Sequence, residues 1–444
     1  MTATSVCVRE YARLCTTPCT ESLDQAQVSQ SAFNFLVKLN AAFSRSGASL
    51  TVLEDVRHLR LDNYVGVIET PCGTRIEIVP KHSEGHDAAG KSRLLLKRMI
   101  AAALDLPVRE AGVAALESFH VPLPEWVMGQ FLAALDHVVQ RGIRFDYVRL
   151  EEEQRFLRGR LDVTRQLRQT PGRQHLFQIR HDVFLPDRAE NRLLKSAARR
   201  VLGSTRSPDN WRLANELCVR LGDVPESRDI RADFRLWQGD RNMAHYQSVK
   251  PWCQLVLGDS MPLAVVGETR GMSLLFPMER LFEAYVAAWM RKRLAPEARL
   301  IEQARTFSLC EHDGAHMFQL RPDLLIHHQG SSWVMDTKWK RIDGSGRADK
   351  YGLTQSDFYQ MFAYGHTYLA GAGELVLIYP HWTSFQTPLP PFTMPRPSRH
   401  GETSQSMHLW VLPFNLEGAD ERLVTSCEMA CEALFRGAEM AEKS

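Results

Sequence analysis

Two acids and a base, Asp323, Asp336 and Lys338, punctuate the stretch 320–340, LRPDLLIHHQGSSWVMDTKWK. Two short apolar runs, Leu324-Leu325-Ile326 and Trp333-Val334-Met335, flank the polar, glycine-containing His327-His328-Gln329-Gly330-Ser331-Ser332. Apolar runs joined this way predict a β-hairpin. Asp323 opens its first strand, and Asp336 and Lys338 end its second. Side chains alternate along a strand, so Asp336 and Lys338 share a face and Thr337 points to the other. Asp323 precedes Asp336 by thirteen residues and falls opposite it across the hairpin. Two carboxylates at one point repel each other; a hard, oxygen-seeking cation such as Mg²⁺ relieves the repulsion and keeps waters for reaction. The backbone carbonyl of Thr337 offers a third oxygen. Lys338 would orient or deprotonate the attacking water and neutralise charge developing on a phosphate.

Pro322-Asp323 followed by Asp336-Thr337-Lys338 is the layout of a PD-(D/E)xK nuclease core. Both short motifs are common, and the plain alternative is a surface hairpin with a solvated Asp and Lys. The flanking elements decide between them. Residues 278–294 have helical spacing, with an apolar stripe of Met278, Leu281, Phe282, Tyr285 and Trp289, and with Glu279 and Glu283 one turn apart. A strand-like segment (300–309), the hairpin, a helix (355–369) and a buried strand (374–379) follow. This order predicts an α/β, restriction-endonuclease-like domain: a mixed central sheet flanked by helices, with Asp323 and Asp336 on the sheet. Glu283 would approach the metal from the first helix, its alternative being an ordinary surface carboxylate. Gln360 and Tyr364 share a face of the second helix and could hold water or phosphate. The proline-rich run 388–397 reads as a loop, 407–414 as a last strand and 420–440 as a closing helix.

The chain of 444 residues is 44% hydrophobic and 24% charged, the composition of a globular protein of two or three domains. Its net charge of +2 excludes a general polycation, so a nucleic-acid surface has to come from local patches. No apolar run is long enough to span a bilayer, and the first residues lack the apolar core of a signal peptide. The nine cysteines contain no CxxC pair; reduced thiols in a cytoplasmic protein are the expectation. Residues 31–46 read as a helix and 50–56 as a strand, and 64–69 and 74–79 as a hairpin around Thr70-Pro71-Cys72-Gly73. Helices are expected at 124–142, 186–202, 208–222 and 243–258. Six arginines (155, 158, 160, 165, 168, 173) lie in 154–174, suited to phosphates or an acidic protein surface, or else balanced by Glu151-Glu152-Glu153. The expected partition is a β-rich N-terminal docking domain (1–125), a helical middle region (126–265) and an endonuclease domain (266–444).

One string points elsewhere. Gly85-His86-Asp87-Ala88-Ala89-Gly90-Lys91-Ser92 spells a phosphate-binding GxxxxGKS loop, in which Lys91 would reach the outer phosphates and Ser92 would hold Mg²⁺. The preceding strand belongs to a hairpin, however, and no apolar strand ending in Asp follows at a suitable distance.

Taken together, the chain resembles the McrC family, the nuclease subunit of modification-dependent McrBC restriction systems. The resemblance is carried, in order, by Tyr64-Val65-Gly66-Val67-Ile68 with Ile76-Glu77-Ile78-Val79-Pro80-Lys81; Arg158-Gly159-Arg160-Leu161; Glu190-Asn191-Arg192-Leu193-Leu194-Lys195; Leu281-Phe282-Glu283; Arg321-Pro322-Asp323; Asp336 to Lys340; and Ser356-Asp357-Phe358-Tyr359-Gln360-Met361 with Ala363-Tyr364. It implies that the N-terminal part docks into a hexameric McrB-like AAA+ GTPase and stimulates its hydrolysis. It also implies that the partner recognises modified, 5-methylcytosine-type DNA and translocates, and that this subunit cuts both strands of double-stranded DNA with Mg²⁺. Asp323, Asp336 and Lys338 fall on the family's catalytic positions and Glu283 on a family-like one. The GxxxxGKS string departs from the family pattern, whose nucleotide site lies on the partner. Two competing expectations are a nucleotide-binding regulator using Gly85 to Ser92, and an inert adaptor with a nuclease-like core.

Overall fold

The computed structural model describes residues 5–44, 48–82, 87–106, 121–170, 172–173, 175–237, 244–258, 273–394, 406–417, 422–425 and 434. It divides into two compact units, Met1–Pro107 with Leu275–Ser444, and Val108–Leu274.

The first unit opens with β1 (Ser5–Arg9), β2 (Arg13–Cys15), β3 (Gln25–Gln27), α1 (Gln30–Ser44), β4 (Thr51–Leu53), β5 (His58–Leu61), β6 (Tyr64–Glu69), β7 (Arg75–Val79) and α2 (Ala88–Ala103). The expected β6–β7 hairpin is present, with Ile68 opposite Ile76, and β1 adds to β7 in parallel. Ile68, Ile76 and Ile78 pack with Phe33 and Leu36 of α1 in one core cluster. Every residue of β7 is buried. Its two charged members are neutralised in place: Glu77 pairs with Arg93 of α2 at 2.6 Å and Arg75 with Glu69 at 3.6 Å.

The second unit holds α3 (Leu123–Arg141), β8 (Asp146–Gln154), β9 (Arg160–Leu161), β10 (Phe177–Leu185), α4 (Ala189–Ser204), α5 (Pro208–Arg220) and α6 (Lys250–Leu257). The helices lie where their spacing placed them. The antiparallel pair of nine-residue strands, β8 and β10, lies in a region read as helical. No apolar alternation announced these strands, because most of their side chains are exposed or half-buried. Charge holds them in register instead: Glu151 is opposite Arg180 and Arg149 opposite Asp182, at 2.9 and 3.4 Å. Arg165 and Arg173 of the arginine-rich stretch pair with Glu151 and Glu153, at 2.8 and 3.9 Å.

The Glu190–Lys195 block has a structural cause. Asn191 is fully buried. Its Nδ2 donates to the carbonyls of Arg144 and Pro186, and its Oδ1 accepts from Tyr246. Lys195 Nζ donates to the carbonyls of Cys218 and Leu221.

The chain then continues with β11 (Leu274–Pro277), α7 (Met278–Arg293), β12 (Arg299–Glu302), β13 (Ser308–His312), β14 (Ala315–Gln319), β15 (Leu324–His328), β16 (Ser331–Thr337), α8 (Gln355–Tyr368), β17 (Gly373–Pro380), β18 (Phe392–Met394) and β19 (Met407–Phe414). β11 joins the sheet β1-β7-β6-β11. The other strands, β13 and β14 excepted, form one mixed sheet in the order β12-β15-β16-β17-β19-β18. Its central pairs, β16–β17 and β17–β19, are parallel. They are buried residue after residue, as in a sheet covered on both faces. α7 packs on β16, and α8 on β16 and β17.

The segment 300–309 is not one strand: β12 ends at Glu302, and β13 leaves to form an exposed two-stranded ribbon with β14. The proline-rich run contributes the edge strand β18, and its last residues lie outside the described set. Most of 420–440 also lies outside; of its described residues, Leu423 bridges Phe414.

Candidate active site at the end of the hairpin

A two-residue turn sets the register of the site. Gln329 (φ 47°) and Gly330 (φ 80°) both take positive φ, which a type I′ turn requires and which suits the twist of a two-residue hairpin. His327, His328, Ser331 and Ser332, read from sequence as loop, are paired in the ladder. Leu324 is opposite Met335, so the next rung outward sets Asp323 against Asp336, as the thirteen-residue spacing predicts.

Asp323 is clamped by the following strand. Its Oδ2 accepts the Thr337 N–H at 2.7 Å and the Thr337 hydroxyl at 2.8 Å. The expectation that Thr337 faces away is therefore corrected. It is the last residue of β16, where the pleat ends, and its hydroxyl is drawn to the half-buried carboxylate of Asp323. The Lys338 N–H donates to Ile378 O at 2.9 Å, which ties the lysine backbone to β17.

Asp336 is 1% exposed. Its Oδ2 lies 2.6 Å from Lys338 Nζ, and its Oδ1 receives Gln360 Nε2 at 3.4 Å. Lys338 Nζ donates to Gln360 Oε1 at 3.0 Å and lies 4.0 Å from Asp357 Oδ1. Gln360 thus bridges the acid and the base from α8. Its amide also donates to Tyr364, whose hydroxyl donates to Arg321 O at 2.9 Å.

Glu283 reaches the pair through Gln303, a residue that sequence reasoning missed. Gln303 Nε2 donates to Glu283 Oε1 and lies 3.5 Å from Asp323 Oδ1. Its backbone N–H donates to Asp323 O at 2.9 Å, and Arg321 donates to its Oε1 at 2.6 Å. Gln303 belongs to no motif; only the pairing of β12 with β15 brings it beside Asp323. Asp357 was quoted within a family block without a role.

The electrostatics follow from this crowding. Burial pushes Asp336 up to about 7, with repulsion from Asp323 as the second cause. Glu283 is also pushed up to about 7, by burial and then by Asp323. Burial raises Asp323 although both Thr337 hydrogen bonds and Lys338 oppose it. For Lys338 burial works against the charge, but Asp336, Asp357 and Asp323 hold its ammonium above the ordinary lysine value. Among the described residues no three His, Cys, Asp or Glu side chains are grouped closely enough to hold a metal ion by themselves.

The phosphate-loop residues are placed elsewhere. Lys91 and Ser92 lie within α2, Ser92 being 2% exposed. Gly85 and His86 lie outside the described residues. Among the described residues no helix is long and apolar enough to cross a membrane.

Comparison with known proteins gives a consistent picture. The chain matches McrC bound to McrB AAA+ hexamers, from the tetradecameric assembly of Thermococcus gammatolerans, with a TM-score of 0.67 at 16% identity. That match covers 94% of this chain and 97% of the other. A second match is to the McrBC complex of Thermococcus gammatolerans, with a TM-score of 0.51 at 19% identity, covering 65% of this chain and 88% of that one. A search of curated proteins found no match. The family described as McrBC 5-methylcytosine restriction system component matches residues 59–380, nearly the span over which the motifs resemble McrC. The chain belongs to the McrBC 5-methylcytosine restriction system component family.

Proposed function

We propose that this chain is the Mg²⁺-dependent endonuclease subunit of a McrBC-like, modification-dependent restriction system. It cleaves double-stranded DNA when assembled with an AAA+ GTPase hexamer whose GTP hydrolysis it stimulates. The observation that carries the nuclease reading is the meeting of Asp323, Asp336 and Lys338 at the end of one hairpin, with Glu283 of α7 joined to Asp323 through Gln303. Asp336 is buried with Lys338 Nζ held 2.6 Å away, Asp323 adds its charge to that of Asp336, and Glu283 reaches Asp323 through Gln303. A fold that spends stability on like charges at one place stores a binding site for a cation. The PD-(D/E)xK reading of the sheet rests on the same convergence. The partner reading is supported by family membership and by the fold shared with McrC bound to McrB hexamers. Residues 1–265 are proposed to engage that partner.

The donor set fits Mg²⁺, which takes one or two carboxylates, retains waters and needs no closed protein cage. Asp323 and Asp336 would hold it, with the Thr337 carbonyl as a third ligand. When bound, the ion neutralises the carboxylates and stabilises charge on the phosphoryl group being attacked. The Thr337 N–H and hydroxyl fix the orientation of Asp323. Lys338, held 2.6 Å from Asp336, would direct its ammonium toward the attacking water and the phosphate oxygens. Glu283, held near 7, accepts a proton at neutral pH. Gln360 keeps Lys338 and Asp336 in register and, with Tyr364, lines the approach from α8.

The test is a plasmid assay with the purified chain, an AAA+ partner, methylated DNA, Mg²⁺ and GTP. Cleavage should require all of these and stop on chelation. Cleavage surviving chelation would remove the metal mechanism. Guanine-nucleotide binding by the isolated chain, lost in Lys91→Ala, would favour the phosphate-loop reading instead.

A further inference from the structure

Directly after Lys338 the chain enters a second concavity. A cavity of about 300 Å³ is lined by Glu10, Lys81, Trp339, Lys340, Arg341 and Trp382, among others. These residues follow the C-terminal ends of β1, β7, β16 and β17, and strand C-termini are where open α/β sheets place ligands. The volume lies at the small end of the ligand-pocket range.

Glu10 makes this cavity unusual. It is 1% exposed. Its Oε1 accepts the Lys81 N–H and the Trp339 indole N–H, both at 2.8 Å. Its Oε2 is buried and has no hydrogen-bond partner among the described residues. A buried carboxylate oxygen without a donor is costly, and it is the acceptor that an incoming N–H would satisfy. The walls are aromatic and cationic: the Arg341 guanidinium stacks on Trp382 at 3.5 Å, and Lys81 and Lys340 also line the cavity, the Lys340 ammonium donating to Gly352 O at 2.6 Å.

We propose that this cavity binds one nucleotide unit whose base carries an exocyclic amino group. Glu10 Oε2 accepts from the amino group, the tryptophans contact the ring, and Lys81 and Arg341 receive the phosphate. Stacking on aromatic side chains with cations along the backbone is how unpaired nucleotides are held, and a carboxylate accepting from cytosine N4 is a recognised base contact. Trp339 is covalently next to Lys338, so a strand occupying this cavity would run past the proposed cleavage site. The inference deepens the DNA reading above. The same chemistry also admits a free mononucleotide, so the test separates the two sources.

The experiment follows tryptophan fluorescence of the full-length chain during titration with dCMP and with dTMP. In parallel it uses two DNA duplexes, one fully paired and one with a single unpaired cytosine. Burial pushes Glu10 up to about 7, so the titrations are run at about pH 8.5, where the carboxylate is charged; there wild type should bind dCMP about tenfold more tightly than dTMP, the difference of one hydrogen bond to a charged acceptor. In Glu10→Gln the carbonyl oxygen keeps the contacts to Lys81 and Trp339 while the amide presents a donor, so the preference should invert toward dTMP. Tighter binding of the duplex with the unpaired cytosine assigns the cavity to the DNA strand; dCMP binding with no difference between duplexes assigns it to a free nucleotide. Equal binding of dCMP and dTMP, or discrimination unchanged in a folded Glu10→Gln protein, overturns the proposal and leaves Glu10 a structural strut. Asp336→Asn is the control: it should lose cleavage but keep dCMP binding, so failure of the nuclease reading and of this one are read separately.

Discussion

At the scale of the residue, the site is a balance of charge, and its protonation can be followed. Burial and mutual repulsion raise Asp336 and Glu283 to about 7 from ordinary values near 4. A carboxyl whose folded pKa is raised stabilises the fold fully only below its unfolded pKa and loses that contribution as pH rises through the folded value. The metal-free protein should therefore lose stability at this site between about pH 4 and pH 7. Mg²⁺ should bind more tightly across the same window and release protons as it does so. Calorimetry in two buffers of different ionisation heat checks this; binding without proton release below pH 7 contradicts it. Thr337→Val removes the hydroxyl bond to Asp323 and keeps the N–H bond, and should cost about 1 kcal/mol of positioning, read as a roughly fivefold loss of cleavage rate. The paired acids and the lysine were legible because a hairpin converts sequence spacing into opposition. Gln303 was not, since only the neighbouring strand brings it in, and neither was Glu10, which meets Trp339 across 329 residues.

At the scale of the element, α8 holds Gln360 and Tyr364 over Asp336 because it lies close to the sheet. Gly365 permits that approach: an added Cβ would overlap Met407 Sδ and sit 3.0 Å from Leu375 Cδ1. Met407 is fully buried and has little room to yield. Gly365→Ala should therefore destabilise by about 1–3 kcal/mol and lower the cleavage rate as the helix shifts; an unchanged melting temperature would show that the contact relaxes at no cost. In the second unit, Asn191→Ala removes a donor from the Arg144 and Pro186 carbonyls and the acceptor of the Tyr246 hydroxyl, and should cost about 1–3 kcal/mol in chemical denaturation. The helices and the alternation of helix and strand around the site were readable from apolar periodicity. The β8–β10 ribbon was not, because its register is written in cross-strand ion pairs, which sequence spacing alone does not reveal. The joint between β12 and β13 was missed because the apolar pattern runs on while the strand leaves its sheet.

At the scale of the whole molecule, the near-neutral charge of +2 gives little net attraction to DNA, and Arg165 and Arg173 are engaged by Glu151 and Glu153. Tight engagement of DNA should then depend on the assembled complex. The isolated chain should bind plasmid weakly at physiological salt, as a mobility-shift assay would show. Family membership was legible because its motifs keep their order along the chain. The proposed partner and target came only through that resemblance, since the surfaces that choose them carry no spacing rule. The most direct measurement compares wild type with Asp336→Asn in the assembled complex, with partner binding and GTP hydrolysis measured on the same samples. Asp336→Asn should assemble and stimulate GTP hydrolysis as wild type does, yet lose double-strand cleavage by at least about a hundredfold. Cleavage at the wild-type rate in that variant would contradict the nuclease reading.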